Sequence, residues 1–168
     1  MTDRKTLHFD EKIENFQSDL DKDVLKIVYL NRYFNSNPQV GFISGIGLKR
    51  GAFASSISHD SHNIIAVGCT DQDLMLAINE LIKEKGGLTV NEEGKLHSLP
   101  LPIGGIISDK SGREVADRYM KLNEMLLKMG TPLKSPFMTL SFMALIVIPT
   151  LKIGEKGIFD FEKFDFVK

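Results

Sequence analysis

Between Gly51 and Cys69 the chain reads GAFASSISHDSHNIIAVGC, with the polar residues Ser58, His59, Asp60, Ser61, His62 and Asn63 set between two apolar runs. Ala52 to Ile57 is small and apolar, and Ile64 to Cys69 is β-branched and apolar. Both runs read as buried strands that meet at the polar segment. A chain built this way has to carry two imidazoles, a carboxylate, two hydroxyls and an amide at one end of a sheet. Few other stretches of the sequence collect so much chemistry.

The flanking segments supply the rest of a sheet. Val24 to Tyr33 has the β-branched and aromatic content of a strand, and Asn35-Ser36-Asn37-Pro38 is turn chemistry that ends it. Gln39 to Leu48 alternates glycine with larger apolar residues, as in a strand closely approached by another backbone or a ligand. Gly45-Ile46-Gly47 lacks the third glycine of a dinucleotide fingerprint, since that position is Arg50, and it opens no helix.

Thr70 begins a helix over 71–85, with Asp73 as the charge-complementary half of a capping box and Gly86-Gly87 as its stop. Leu74, Ile78, Leu81 and Ile82, with Met75 and Ala77, form its apolar face. Leu88 to Val90 and Lys95 to Leu99 flank Asn91-Glu92-Glu93-Gly94 as a hairpin. The prolines of Leu99 to Gly105 exclude a central strand there and indicate an ordered crossing loop. Ser111 and Glu114 cap a second helix, 112–129, whose stripe is Val115, Tyr119, Leu122, Leu126 and Met129.

Ser135 to Ile148 is apolar on every side, so pattern does not separate helix from strand. Gly157 to Val167 alternates phenylalanine with acidic residues like a half-buried edge strand. These elements define a single α+β domain over 23–168, a mixed or antiparallel sheet with the two amphipathic helices packed on one face. Residues 1–22, anchored by Leu7, Phe9, Ile13 and Phe16, read as an arm or a linker remnant.

With 168 residues, 42% hydrophobic and 26% charged, the chain can bury one core. A net charge of -1 argues against nucleic acid as a partner, because nonspecific affinity for phosphates needs a basic face and Lys49-Arg50 is the only strong basic pair. The single cysteine, Cys69, forms no internal disulfide and reads as a buried small hydrophobe. The charged N-terminus lacks a signal-peptide core, and no run reaches the ~18 apolar residues of a membrane span. The expectation is a soluble, cytoplasmic protein.

Four readings fit the polar cluster. His59, Asp60 and His62 could contribute to a metal site, although a catalytic zinc needs three protein ligands plus water and only His8 and His97 remain as further imidazoles. Ser56, Ser58 or Ser61 could act as a nucleophile with a histidine as base, without a nucleophile-elbow pattern. Alternatively, Asp60 and Asn63 make local turns and the histidines satisfy carbonyls, or the cluster forms a polar lip facing a ligand or another domain's site. Elsewhere, Asp109 reads as helix-start chemistry, and Met138, Phe142 and Met143 read as core.

The blocks GFISGIGLKRGAFASSISHDSHNIIAVG, LPLPIGGIISD and SPFMTLSFMALIVIPTLKIGEKGIFD, in this order, resemble the C-terminal region of bacterial and archaeal adenine deaminases from about Val24 onward. Arg32-Tyr33 departs from the Arg-His pair of the family pattern, and Ile146 stands where the pattern has proline. The resemblance implies an amidohydrolase converting adenine and water to hypoxanthine and ammonia. It also implies manganese or iron held in a separate (β/α)8 barrel, whose His-x-His motif is absent here. His59, Asp60, Ser61, His62 and Asn63 match the family pattern and would line the surface facing that barrel's site. The expected partners are the barrel, in cis or in trans, adenine, and further copies of the chain. A stand-alone purine-binding or regulatory module and a purely structural, oligomerising domain are the alternatives.

Overall fold

The structure, a computed structural model, describes residues 17–167. The anchors expected at Leu7, Phe9, Ile13 and Phe16, and His8, lie outside the described residues. Six strands form the main sheet: β1 (Val24–Leu30), β2 (Gln39–Ser44), β3 (Ala52–Ser55), β4 (Ile64–Gly68), β5 (Gly87–Glu92) and β6 (Lys95–Pro100), in the order β2-β1-β4-β3-β5-β6. Every pairing is antiparallel. The central strands β3 and β4 pair Ala52 with Gly68 and Ser55 with Ile65, which puts the connection after Ser55 at the end of the sheet.

The helices are α1 (Asp71–Lys83), α2 (Gly112–Lys128) and the short α3 (Pro136–Phe142). Thr70 Oγ1 accepts the Asp73 amide at 3.1 Å and Ser111 Oγ accepts the Glu114 amide at 3.3 Å, so both expected caps form. In α3, Pro136 occupies the first turn, where its missing N–H costs nothing. The ambiguous apolar run is therefore helical at its start and irregular after Phe142.

The helices do not share a face of the sheet. Alternation along the central strands sends Phe53, Ile65 and Val67 to one side, where Leu122 and Leu126 of α2 and Phe137 and Leu140 of α3 cover them. It sends Ala52, Ala54 and Ala66 to the other side, where Leu74, Ala77 and Leu81 of α1 pack. Alanine and Gly68 on that side let α1 approach closely, and a Cβ on Gly68 would lie 3.0 Å from Leu74 Cγ. Burying a side chain such as Phe53 or Leu126 completely contributes about 1.5–3 kcal/mol before entropy is counted. Met75 and Ile82, expected on the apolar face of α1, are instead exposed.

A second sheet, β7 (Leu151–Gly154), β8 (Gly157–Asp160) and β9 (Asp165–Phe166), takes the C-terminal segment. Ile153 and Ile158 join the α2 side of the core. Two of the three glycines of 39–48 are closely approached, and by the protein itself: Ile158 Cδ1 is 2.8 Å from where a Gly41 Cβ would be, and Pro132 closes on Gly47, whereas a Cβ on Gly45 would meet open space. The amides of Gly45 and Gly47 are held by the Asp23 carboxylate at 2.7 and 2.8 Å, which fills this small nest with an internal anion.

Candidate functional site

The loop from Ser56 to Asn63 is anchored from below by its buried hydroxyls and its amide. Ser56 Oγ donates to the Gly105 carbonyl at 2.5 Å and accepts the Gly87 amide at 2.7 Å. Ser58 Oγ donates to the Asn63 carbonyl at 2.7 Å, closing the loop on itself. Both serines are fully buried and hydrogen-bonded to backbone, so neither serves as a nucleophile next to an imidazole. Ser61 is exposed, but its hydroxyl pairs with the Tyr29 phenol at 2.7 Å.

Asn63, at 3% exposure, is the centre of this support. Its side-chain Nδ2 donates to Tyr29 Oη at 2.9 Å and Ser61 Oγ at 3.3 Å, and its side-chain Oδ1 accepts the Arg32 backbone amide at 3.0 Å. The expected local turn at Asn63 is thus a tie between the loop and β1.

The functional groups stand on this base. His59 and Asp60 are joined by a cis peptide. Asp60 is exposed and the two histidines are half-buried. The His59 ring lies 5.1 Å from the Phe142 ring and 6.1 Å from the His62 ring, centroid to centroid. His62 adopts φ of 53°, a left-handed conformation costing a non-glycine residue about 1–2 kcal/mol. Its amide donates to the Ser58 carbonyl at 2.7 Å, and its Nδ1 is buried without a hydrogen-bond partner.

Arg32, which the sequence marks only as half of the Arg32-Tyr33 departure from the family pattern and to which it gives no role, holds the loop from outside. Its Nε donates to the His62 carbonyl at 2.6 Å, and its Nη2 donates to the Gly104 carbonyl at 2.5 Å and Tyr33 Oη at 2.9 Å. The guanidinium lies 4.6 Å from the Tyr33 ring centroid. Phe142 was also missed. Read as core, it is 37% exposed and faces His59, while Met138 is exposed and only Met143 packs against the core. Nothing local in the sequence marks either contact, because each depends on distant pairing.

The other candidates lie away from this loop. His97 is exposed on the edge strand β6 opposite Val90. Asp109 pairs with Lys110 at 3.4 Å just before the α2 cap. Arg50 is bound to Glu92 at 2.7 Å and Lys49 Nζ donates to the Leu20 carbonyl, so this basic pair is internally engaged. Cys69 is a buried free thiol, and burial raises its pKa to about 11.

Among the described residues, no three of His, Cys, Asp and Glu come together to hold a metal ion. His59, Asp60 and His62 therefore do not fit manganese or iron as a self-contained donor set. No helix among the described residues is long and apolar enough to cross a membrane.

Fold and loop together define an α+β domain that presents a braced, histidine-bearing lip at one end of an antiparallel sheet. The model of the adenine deaminase C-terminal domain matches residues 1–165, and the chain belongs to that family. The match takes in the stretch before Val24 as well. Adenine deaminase of Methanosarcina acetivorans is 56% identical over 159 residues, 94% of this chain and 29% of the relative. That of a Sulfurovum species is 51% identical over 159 residues, 94% and 30%. That of Borreliella burgdorferi is 46% identical over 155 residues, 91% and 28%. The chain thus spans less than a third of the length of these curated relatives.

Proposed function

We propose that this chain supplies the C-terminal part of an adenine deaminase in the cytoplasm. In this reading the loop from His59 to Asn63 faces a purine site whose metal, manganese or iron, is held by a separate barrel. The observation that carries the reading is the construction of the loop. Asn63, Tyr29 and Ser61 fix it rigidly from below, yet its imidazoles and Asp60 assemble no metal site of their own. Such an arrangement suits hydrogen bonding to a ligand held elsewhere. A neutral imidazole carries one donor and one acceptor nitrogen, so it can donate to a purine ring nitrogen or accept from an exocyclic amine.

A metal held outside these residues would supply the activated water. The loop's part is to orient the base and exclude bulk solvent, and the chain alone is inactive. The test follows adenine conversion to hypoxanthine by ultraviolet absorbance, with and without manganese or ferrous iron. The expected result is no turnover by the chain alone. Once the chain is combined with its barrel, His59→Ala and His62→Ala are expected to lower turnover about tenfold or more. Metal-dependent turnover by the chain alone, or unaltered turnover of both variants in the complete enzyme, overturns the proposal.

A further inference from the structure

We propose that Arg32 is the positioning residue of the histidine loop, tying the His62 carbonyl to the crossing loop and so fixing the direction of both imidazoles. Three features of the fold converge on it. Its Nε and Nη2 reach carbonyls 30 and 72 residues away, at His62 and Gly104, so one side chain joins the segment just after β1 to two separate loops. The carbonyl it holds at 2.6 Å belongs to the loop residue with left-handed backbone, where an external hold keeps a strained conformation in place. The crossing loop also leaves room for the guanidinium. Gly105, at φ of 77°, is a position where a Cβ would overlap Arg32 Nη1 and lie 2.8 Å from Cζ.

The Arg32 amide is bound in addition by Asn63 Oδ1, and Tyr33 lies against the guanidinium through its ring and its hydroxyl. Backbone, ring and two carbonyls therefore hold the fork in one plane. A planar guanidinium meets two carbonyls at once in fixed directions, and a lysine ammonium at the same place cannot.

The effect on the loop rests on this geometry alone, and the effect on turnover rests on the substrate-facing reading above. In the unaltered 168-residue chain, nuclear magnetic resonance should detect a through-hydrogen-bond coupling between Arg32 Nε and the His62 carbonyl carbon. Its absence overturns the proposal without any variant. In Arg32→Lys and Arg32→Gln, the amides of His62 and Ile106, bonded within the two loops, should exchange roughly tenfold faster or more. Ile27 and Val67 should keep their protection, and the ring signals of His59 and His62 should move.

Methylguanidinium added to Arg32→Ala should restore those ring signals. Exchange at His62 unchanged in both variants, or ring signals indifferent to the arginine, overturns the positioning role. In the complete enzyme Arg32→Lys should lower kcat more than it changes KM. If His59→Ala and His62→Ala leave turnover intact while the Arg32 variants still loosen the loop, the functional reading fails and the positioning role stands.

Discussion

The side-chain amide of Asn63 donates to the phenol of Tyr29 at 2.9 Å, joining the end of the polar loop to β1 one place before the strand's end. Both residues are buried, and the same phenol meets Ser61 Oγ at 2.7 Å. Asn63→Ala leaves the Tyr29 hydroxyl short of a donor and the Arg32 amide without its acceptor. Each unsatisfied buried group costs about 1–3 kcal/mol. The expected loss is in that range or above it, read as a lower urea midpoint at unchanged slope. Tyr29→Phe should cost less, and the double variant should cost less than the sum, because both remove the same bond.

Ser56 offers a sharper test of the assignment of its hydroxyl. Oγ bridges the Gly87 amide at 2.7 Å and the Gly105 carbonyl at 2.5 Å, linking β5 to the crossing loop. Ser56→Ala is expected to lower stability by about 1–3 kcal/mol, and chemical denaturation measures it. A serine-directed acylating reagent should leave the folded chain unlabelled at Ser56, as checked by mass spectrometry. Labelling there would contradict a hydroxyl bonded on both sides.

How far these features can be read from sequence depends on the range of the interaction. Thr70 and Ser111 cap helices through bonds to the residue three places on, and both caps were legible. The sidedness of the helices was not. The one-sided expectation rests on the single apolar stripe of each helix, which does not say which face of the sheet it meets. Ala52-Phe53-Ala54, by contrast, alternates in size rather than polarity and is apolar on both faces, as cover on both sides requires. The small residues of that alternation are what let α1 cover the second face. In the loop, the residue types of His59 to Asn63 stood out at once. Arg32 and Phe142 did not, because their partners are brought near only by the β1–β4 pairing and by the turn of α3. The Gly45 and Gly47 amides show the reverse case, where a suggestive pattern is accounted for by Asp23.

Phe142 gives a prediction that separates orientation from stability. Its ring lies beside His59 but is partly in solvent, so Phe142→Ala removes little buried area compared with a core phenylalanine. The stability loss should stay near 1 kcal/mol, against about 3–5 kcal/mol for Phe53→Ala, whose ring is fully buried and meets Phe137 edge-on. The His59 ring resonances should nonetheless shift and broaden in Phe142→Ala, and denaturation and proton spectra on the same samples check both halves.

Cys69 links stability to alkaline pH. Desolvation raises its thiol pKa from 9.0 to about 11, with Asp73 adding to the rise and Lys49 opposing it. Between those values the folded thiol keeps its proton while the unfolded one loses it. Proton release therefore favours unfolding, and this contribution is full below pH about 9 and falls away as pH approaches about 11. The denaturation midpoint of the chain, compared with that of Cys69→Ala across this window, should show a difference that shrinks as pH rises. At neutral pH the same burial should keep the native thiol unreactive to iodoacetamide until denaturant is added, since the thiolate is the nucleophile. Rapid alkylation of the folded chain at neutral pH would mean that the end of β4 opens far more readily than its packing implies.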